Sequence, residues 1–346
     1  MEYRSLGRSG LRVSALSFGT MTFGGGEYFK YMGNDQVEEA RNLVDICLDS
    51  GVNLFDTADV YSLGRSEEVL GAAVGPGRRH DVVIATKAFA RMGPGLHDAG
   101  NSRLHLIKAC EDSLRRLGTD YIDLYQVHGF DSLVPVEETL SALDQLIRQG
   151  KVRYIGCSNF SGWHLMKSIA IASRVGYQPF ISQQVYYSLL ARELEYELIP
   201  LGLDQQIGIL VWSPLSFGLL SGKYRRNTPK PEATRLAQLD PPGTVDWEHL
   251  YRIVDVLGEI ARNRGKSIPQ VALNWLLRRS GISSLIFGAR NESQLRENLD
   301  AVGWSLSEEE VRRLEGASNV AEIYPYWHQH KWGLERNPLL ARNYQP

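Results

Sequence analysis

Cysteine is scarce: Cys47, Cys110 and Cys157 are the whole supply in 346 residues. They are odd in number and too scattered for a disulfide framework or a paired-cysteine zinc site, and they fit a reducing compartment. Long apolar runs are missing as well. No stretch would span a bilayer, and Met1-Glu-Tyr-Arg-Ser-Leu6 lacks the apolar core of a secretory leader, so a cytoplasmic protein is expected. Neither sign of charge dominates, because 38 Lys and Arg stand against 40 Asp and Glu, mixed along the chain. That balance leaves no electrostatic footprint for nucleic acid or an anionic membrane. A dinucleotide-binding Gly-x-Gly-x-x-Gly is absent too: Gly24-Gly-Gly26 lacks the third glycine, which argues against a Rossmann unit. Gly218-Leu-Leu-Ser-Gly222-Lys223 falls one residue short of a P-loop and has Tyr224 where a Ser or Thr would bind magnesium, so nucleotide hydrolysis is rejected.

What is present is a repeating alternation. Apolar runs rich in Val and Ile read as strands near 15–19, 53–57, 82–87, 121–127, 152–157, 180–184, 207–213 and 283–288. Between them fall amphipathic stretches such as Val37–Asp49, Arg103–Leu117, Val136–Gln149 and Leu165–Ser173, with apolar residues three and four apart. Gly51, Gly118, Gly150 and Gly176 follow these helices as stop signals. Eight such units predict an α/β fold, a closed (β/α)8 TIM barrel. The length would allow two domains, but no Ser/Gly linker or composition break appears, so one domain over 1–346 is expected. Tyr3–Gly7 and Leu11–Ser14 read as a short N-terminal β-hairpin at the closed end. After the seventh strand Asn227-Thr-Pro-Lys-Pro-Glu232 and Asp240-Pro-Pro-Gly243 interrupt the spacing before a helix around Leu250–Arg262; long insertions on one rim usually serve binding. Ser293–Val302 and Ser307–Ala317 read as extra C-terminal helices, the second opened by the capping-box pattern Ser307-Glu-Glu-Glu310. The tail, roughly 318–346, reads as irregular.

Three of the predicted strands end in a titratable residue. Asp56 closes one, with Tyr61 five residues on; Lys87 closes the next and His128 the one after. Taken singly, each has a bland reading: Asp56 as a helix cap or surface ion pair, Tyr61 as a half-buried packing residue, Lys87 and His128 as rim side chains. Taken together at neighbouring strand ends, they read as a proton-delivery set. A phenol is a feeble acid, with a reference pKa of about 10, but a nearby ammonium stabilises its phenolate and a carboxylate holds that ammonium in place. A parallel α/β scaffold gathers reactive side chains in this way around one opening.

Over nearly its full length the chain resembles the aldo-keto reductase family. The resemblance rests on Asp56-x4-Tyr61, which begins inside Gly51-Val-Asn-Leu-Phe-Asp-Thr-Ala58, on Thr86-Lys87, Val127-His128, Gly156-Cys-Ser-Asn159, Trp212-Ser-Pro-Leu215 with Gly222-Lys-Tyr224, and Gly288 through Gln294-Leu-Arg-Glu-Asn298, all in order. The cofactor-loop motifs are similar to those of the potassium-channel β-subunit-like branch. What the resemblance implies is a nicotinamide cofactor at the strand C-termini and reversible reduction of a small aldehyde or ketone to an alcohol. Tyr61 would give the proton, Lys87 would lower its pKa, Asp56 would pair with Lys87, and His128 would orient the carbonyl. Ser158, Asn159 and Gln184 would bond the nicotinamide carboxamide, with Trp212 stacked on the ring, Asp56 beside it, and Gly19, Thr20 and Met21 below. Ser213, Pro214, Leu215, Gly218 and Lys223 would follow the pyrophosphate, and Gly288, Arg290, Gln294, Glu297 and Asn298 would surround the adenosine end, with Arg235 a further candidate.

Two departures bear on the cofactor. Phe287 replaces a proline common before the Gly288 position, and Gln294 stands where many members place an arginine; Arg290 offers a cation for a 2′-phosphate, so NADP is favoured, with NAD open. In the channel-associated branch the histidine position is commonly asparagine, so His128 favours an enzyme over a cofactor-sensing subunit. A metal-dependent hydrolase would need more strand-end ligands than Asp56 and His128, and His328 and His330 lack a third ligand, so no metal site is expected. For the aromatic tail, Tyr324-Pro-Tyr-Trp-His-Gln-His-Lys-Trp332, two readings stay open: a lid that brings Trp327 or Trp332 to the substrate, or an anchor on the barrel exterior.

Overall fold

The computed structural model describes residues 1–25, 36–229 and 245–336. Arg235, most of the insertion after the seventh barrel strand and the chain beyond 336 lie outside the described residues. Strands β1 (Tyr3–Ser5) and β2 (Arg12–Ser14) form the antiparallel hairpin. Eight parallel strands then close a barrel: β3 (Leu16–Gly19), β4 (Leu54–Asp56), β5 (Val83–Ala88), β6 (Ile122–Val127), β7 (Val152–Ser158), β8 (Ser182–Tyr186), β9 (Gly208–Trp212) and β10 (Ile282–Phe287). The ring closes where Leu285, Ile286 and Phe287 pair with Leu16, Ser17 and Phe18. The hairpin plugs the end where the strands begin. At its turn, Gly7 (φ +57°) lies so close to β8 and β9 that a Cβ would stand 2.2 Å from the Ile181 carbonyl oxygen, so only glycine fits.

Helices α1 (Val37–Asp49), α2 (Arg65–Val74), α3 (Arg103–Leu117), α4 (Val136–Arg148), α5 (Gly162–Val175) and the short α6 (Leu198–Asp204) wrap the barrel between strands, followed by α7 (Trp247–Arg264) and α8 (Ile268–Leu277). The Ser102 hydroxyl accepts the His105 N–H to start α3, and Gly118 and Gly176 end α3 and α5 in the left-handed conformation. Beyond β10 come α9 (Glu292–Leu299), α10 (Glu308–Ala317) with the Ser307–Glu310 capping box in place, and α11 (Tyr326–Arg336). Two elements depart from the periodic signal. Every residue of α8 is buried, between α7, α9 and β10, so it has no exposed face for an amphipathic stripe to reveal, and Gln270 and Asn274 bond to neighbouring carbonyls. The tail, expected to be irregular, folds into α11 at 326–336: Pro325 stands before its first turn, the Tyr326 ring stacks on Tyr196 at 5.0 Å, and its hydroxyl donates to Glu197 at 2.7 Å. Among the described residues no helix is long and apolar enough to cross a membrane.

Alternation along the strands separates two apolar layers. Leu54, Val83, Ala85, Leu124 and Leu210 meet Leu6 and Val13 of the hairpin inside the barrel, while Phe55, Ile84, Ala88, Tyr125 and Val127 pack with the helices outside. Behind β5 the outer layer holds a buried acid: Asp59 is fully buried and no side chain hydrogen-bonds its carboxyl. Burial, and then the charge of Glu67, push its carboxyl up to about 8.

The unfolded chain releases this proton near pH 4 while the folded chain keeps it to about pH 8, so the stability contributed by the acid form is full at low pH and is lost as pH rises between those values. Asp59→Asn, which cannot ionise, should therefore raise stability over the parent by ~1–2 kcal/mol at pH 8 and by little at pH 4, less than full linkage because the amide is itself unpaired. Denaturant unfolding across that range measures it; a gain that stays flat with pH would contradict the buried acid.

Candidate active site

Strand alternation decides which side chains face the barrel axis. Leu54 points inward, so Asp56 does; Val83 and Ala85 point inward, so Lys87 does; Leu124 points inward, so Gln126 and then His128 do. At the carboxyl ends of β4 and β5 this brings Lys87 Nζ to 2.5 Å from Asp56 Oδ1, and the same ammonium donates to the Thr57 carbonyl at 2.8 Å and to the Tyr61 hydroxyl at 3.5 Å. Lys87 is fully buried and Asp56 nearly so. Burial alone would pull the amine toward neutrality, but the charges of Asp56 and Tyr61 and their hydrogen bonds outweigh it and hold Lys87 above its ordinary range. The second Asp56 oxygen accepts from Gln184 Nε2 at 2.8 Å and from Gln126 Nε2 at 3.4 Å, so the carboxylate is occupied on both sides.

Tyr61 is aimed by a tight reversal. It opens a turn over Tyr61–Gly64 in which Ser62 (φ 51°), Leu63 (φ 52°) and Gly64 (φ 93°) are all left-handed, and Ser62 Oγ pins the turn by donating to the Gly25 carbonyl at 2.8 Å. Its ring meets that of His128 edge-on, with centroids 6.0 Å apart. Burial, and then the charge of Lys87, push His128 down to about 3, which leaves a neutral imidazole whose Nδ1 has no protein partner.

These side chains border a cavity of about 610 Å³ at the C-terminal mouth of the barrel. Of the residues singled out in the sequence, Gly19, Met21, Asp56, Tyr61, His128, Ser158, Asn159, Gln184, Trp212, Ser213, Pro214, Leu215, Gly218, Gly288, Arg290 and Gln294 line it. Lys87 sits one layer behind the wall. Thr20 turns its hydroxyl to Ser66 and the Asp56 carbonyl, Lys223 is exposed, and Glu297 and Asn298 are likewise not on the wall, Asn298 Nδ2 reaching the Gly288 carbonyl at 3.4 Å. Thr22, Phe217, Ile286, Phe287 and Ala289 also line the cavity and were not assigned from sequence. Ile286, Phe287 and Ala289 read as strand-end core. Phe217 could have been suspected only from its place between Leu215 and Gly218: it enters the wall through left-handed turns at Ser216 and Phe217, fixed by its N–H donating to Ser213 Oγ at 3.0 Å. Trp327 and Trp332 are not on this wall and stay about half exposed, while Tyr326 seats the tail on Tyr196 and Glu197, so of the two readings of the tail the described residues favour the anchor. Nor is any group of three or more His, Cys, Asp or Glu among the described residues placed to hold a metal ion.

The two ends of the cavity differ in chemistry. Near the Lys87–Asp56 pair, Trp212 stacks on Tyr186 at 4.7 Å and donates through Nε1 to Asn159 Oδ1 at 3.1 Å, while Asn159 Nδ2 donates to the His128 carbonyl at 2.9 Å. Ser158 Oγ donates to the Gln184 carbonyl at 3.0 Å. A flat aromatic face ringed by amides and a hydroxyl suits a planar ring bearing a carboxamide. At the far end Arg290 stands just before α9, where Asn291 caps the helix and Gln294 Oε1 accepts the Arg290 N–H at 3.1 Å. A cation at a helix N-terminus suits an anion. Gly218 adds open backbone between the ends, since a Cβ there would meet nothing within 4 Å.

The comparisons with known proteins agree with this geometry. Residues 15–319 match the sequence family described as Aldo/keto reductase family. The chain is 39% identical over 311 residues to a probable voltage-gated potassium channel subunit beta of Arabidopsis thaliana, covering 87% of this chain and 91% of that protein. It is 38% identical over 324 residues to the uncharacterized oxidoreductase YrpG of Bacillus subtilis, covering 91% and 95%. It is also 34% identical over 344 residues to the versiconal hemiacetal acetate reductase of Aspergillus parasiticus, covering 94% and 99%. An eight-stranded barrel with a Lys–Asp pair at its mouth and a sequence match across most of its length leave one assignment: the chain belongs to the aldo/keto reductase family of oxidoreductases.

Proposed function

We propose that the protein is an NADP-dependent oxidoreductase that reversibly reduces a small aldehyde or ketone to an alcohol, with Tyr61 as the proton donor. The observation that carries this reading is the Lys87 ammonium, 2.5 Å from Asp56 and 3.5 Å from the Tyr61 hydroxyl, beneath a cavity that His128 also lines. When bound, the cofactor supplies a hydride to the carbonyl carbon. As the carbon–oxygen π electrons move onto oxygen, the growing negative charge there takes the proton from the Tyr61 hydroxyl. The charge left on the phenolic oxygen faces Lys87, so the donor's product is stabilised as it forms. Asp56 keeps the ammonium oriented. His128, neutral across ordinary pH, hydrogen-bonds the substrate oxygen without competing as an acid. Alcohol oxidation runs the same steps backward, with the phenolate accepting the proton.

The same reading assigns the remaining wall. Ser158, Asn159 and Gln184 would hold the carboxamide, Trp212 would cover one ring face, Gly19 and Met21 would lie beneath, and Ser213 to Gly218 would follow the pyrophosphate. Arg290 and Gln294 would meet the adenosine end, and the Arg290 guanidinium is what favours a 2′-phosphate. Two plant relatives named as probable potassium channel beta subunits support a second reading, a cofactor-sensing subunit with little turnover. The complete set of Asp56, Tyr61, Lys87 and His128 supports turnover.

Tyr61→Phe removes one hydroxyl and little volume. Its kcat for aldehyde reduction should fall by roughly 10²–10⁴-fold while cofactor affinity, read by fluorescence titration, holds; an undiminished kcat removes Tyr61 from the donor role. For the cofactor, kcat/KM with NADPH should exceed that with NADH by about tenfold or more, and Arg290→Ala should erase most of the difference. A clear preference of the parent for NADH would refute the assignment.

A further inference from the structure

Behind β5, between the barrel and helices α2 and α3, lies a set of polar groups that the proposed chemistry does not use. Glu67, in the first turn of α2, is fully buried. One of its oxygens accepts from Thr86 Oγ1 at 2.5 Å and the other from Arg116 Nε at 2.6 Å. Thr86 precedes Lys87 on β5, and because neighbouring strand residues face opposite ways, its hydroxyl points to the helices while the lysine points into the barrel. Arg116 in turn lies under the turn that carries Tyr61: a Cβ on Gly64 would stand 2.5 Å from Arg116 Cδ, so guanidinium stem and Gly64 backbone are in direct contact. The amide of Asp59 adds a third tie by donating to the Lys87 carbonyl at 3.1 Å.

Burying a carboxylate and an arginine here is costly, and apolar side chains of like volume would fill the space at less expense, so stability alone does not account for the cluster. The turn over Tyr61–Gly64 needs outside support, since three successive left-handed residues, two of them not glycine, persist only where the surroundings over-determine them. The Tyr61 hydroxyl stands 3.5 Å from Lys87 Nζ, at the edge of hydrogen-bond reach, so a shift of the turn by about 1 Å would break the contact.

We propose that Glu67, Thr86 and Arg116 form a positioning clamp that fixes the Tyr61 hydroxyl on the Lys87 ammonium by tying the strand of one to the turn of the other. The inference rests on the reading of Tyr61 and Lys87 as the proton-delivering pair. None of the three clamp residues touches the cavity, so the clamp acts on the rate of the chemical step and not on cofactor binding.

Thr86→Val keeps the shape and deletes the hydroxyl, whereas Thr86→Ser keeps the hydroxyl. In the full chain with saturating NADPH and an aldehyde, Thr86→Val should lose about tenfold in kcat with cofactor affinity within about twofold, and Thr86→Ser should stay near the parent. Hydrogen exchange reads the clamp without turnover: amides of 59–64 should exchange roughly tenfold faster in Thr86→Val than in the parent, with β7 and β9 unchanged. Parental kcat or parental exchange in Thr86→Val overturns the clamp, as does cofactor affinity that falls in step with kcat, or an equal loss in Thr86→Ser. A parent that turns over no carbonyl, together with faster exchange in Thr86→Val, upholds the clamp and assigns the failure to the proposed reductase activity.

Discussion

A fully buried ammonium is the constraint on which the site depends. Lys87 could not keep its proton inside the barrel without compensation, because taking an isolated charge out of water costs far more than a folded chain has to spare. Asp56 at 2.5 Å supplies the opposite charge, the Thr57 carbonyl takes a second N–H, and the two amides on Asp56 complete the shell. Such pairs add little net stability over apolar packing, whereas removing one partner leaves a stranded charge and costs about 3–5 kcal/mol. The pair is therefore better understood as a device that keeps a positive charge beside a phenol than as a brace for the barrel.

The hydrogen bonds around the pair also join it to the far wall. Gln184 donates to Asp56 and accepts at its backbone carbonyl from Ser158, so one residue of β8 touches both the Lys87–Asp56 pair and the wall proposed to meet a carboxamide. Asn159 makes the parallel link on the other side, between the Trp212 indole and the His128 carbonyl. A ring held against Trp212 and a carbonyl held by His128 would thus share supports that come from adjacent strands of one rigid barrel. Reacting groups kept in register this way need little reorganisation as charge develops.

Much of this was readable because strand periodicity carries through to function. The alternation that places Leu54 and Ala85 inside also aims Asp56 and Lys87 inside, and the helices Val37–Asp49 and Arg103–Leu117 run as their apolar spacing requires. Other features leave no such trace. Helix α8 is buried on every side, its Gln270 and Asn274 bonded to neighbouring carbonyls, α11 packs through the stacking of Tyr326 on Tyr196 across more than a hundred residues of chain, and Phe217 reaches the cavity through backbone angles that no side-chain pattern announces. Thr20, Lys223, Glu297 and Asn298, which the motif resemblance also marks, fall outside the residues that line the cavity. The role of Glu67, Thr86 and Arg116 needed coordinates, since their contacts join residues 19 and 49 positions apart.

The central claim is that the Lys87 charge acts through the Tyr61 hydroxyl. A double-mutant cycle in kcat tests it most directly, with Lys87→Met and Tyr61→Phe made singly and together and each protein checked for folding and cofactor affinity. If the ammonium serves the phenol, Lys87→Met alone is slow by roughly 10²-fold or more, and the double variant is about as slow as Tyr61→Phe alone. Losses that simply multiply, or a Lys87→Met protein that turns over like the parent, would contradict the account.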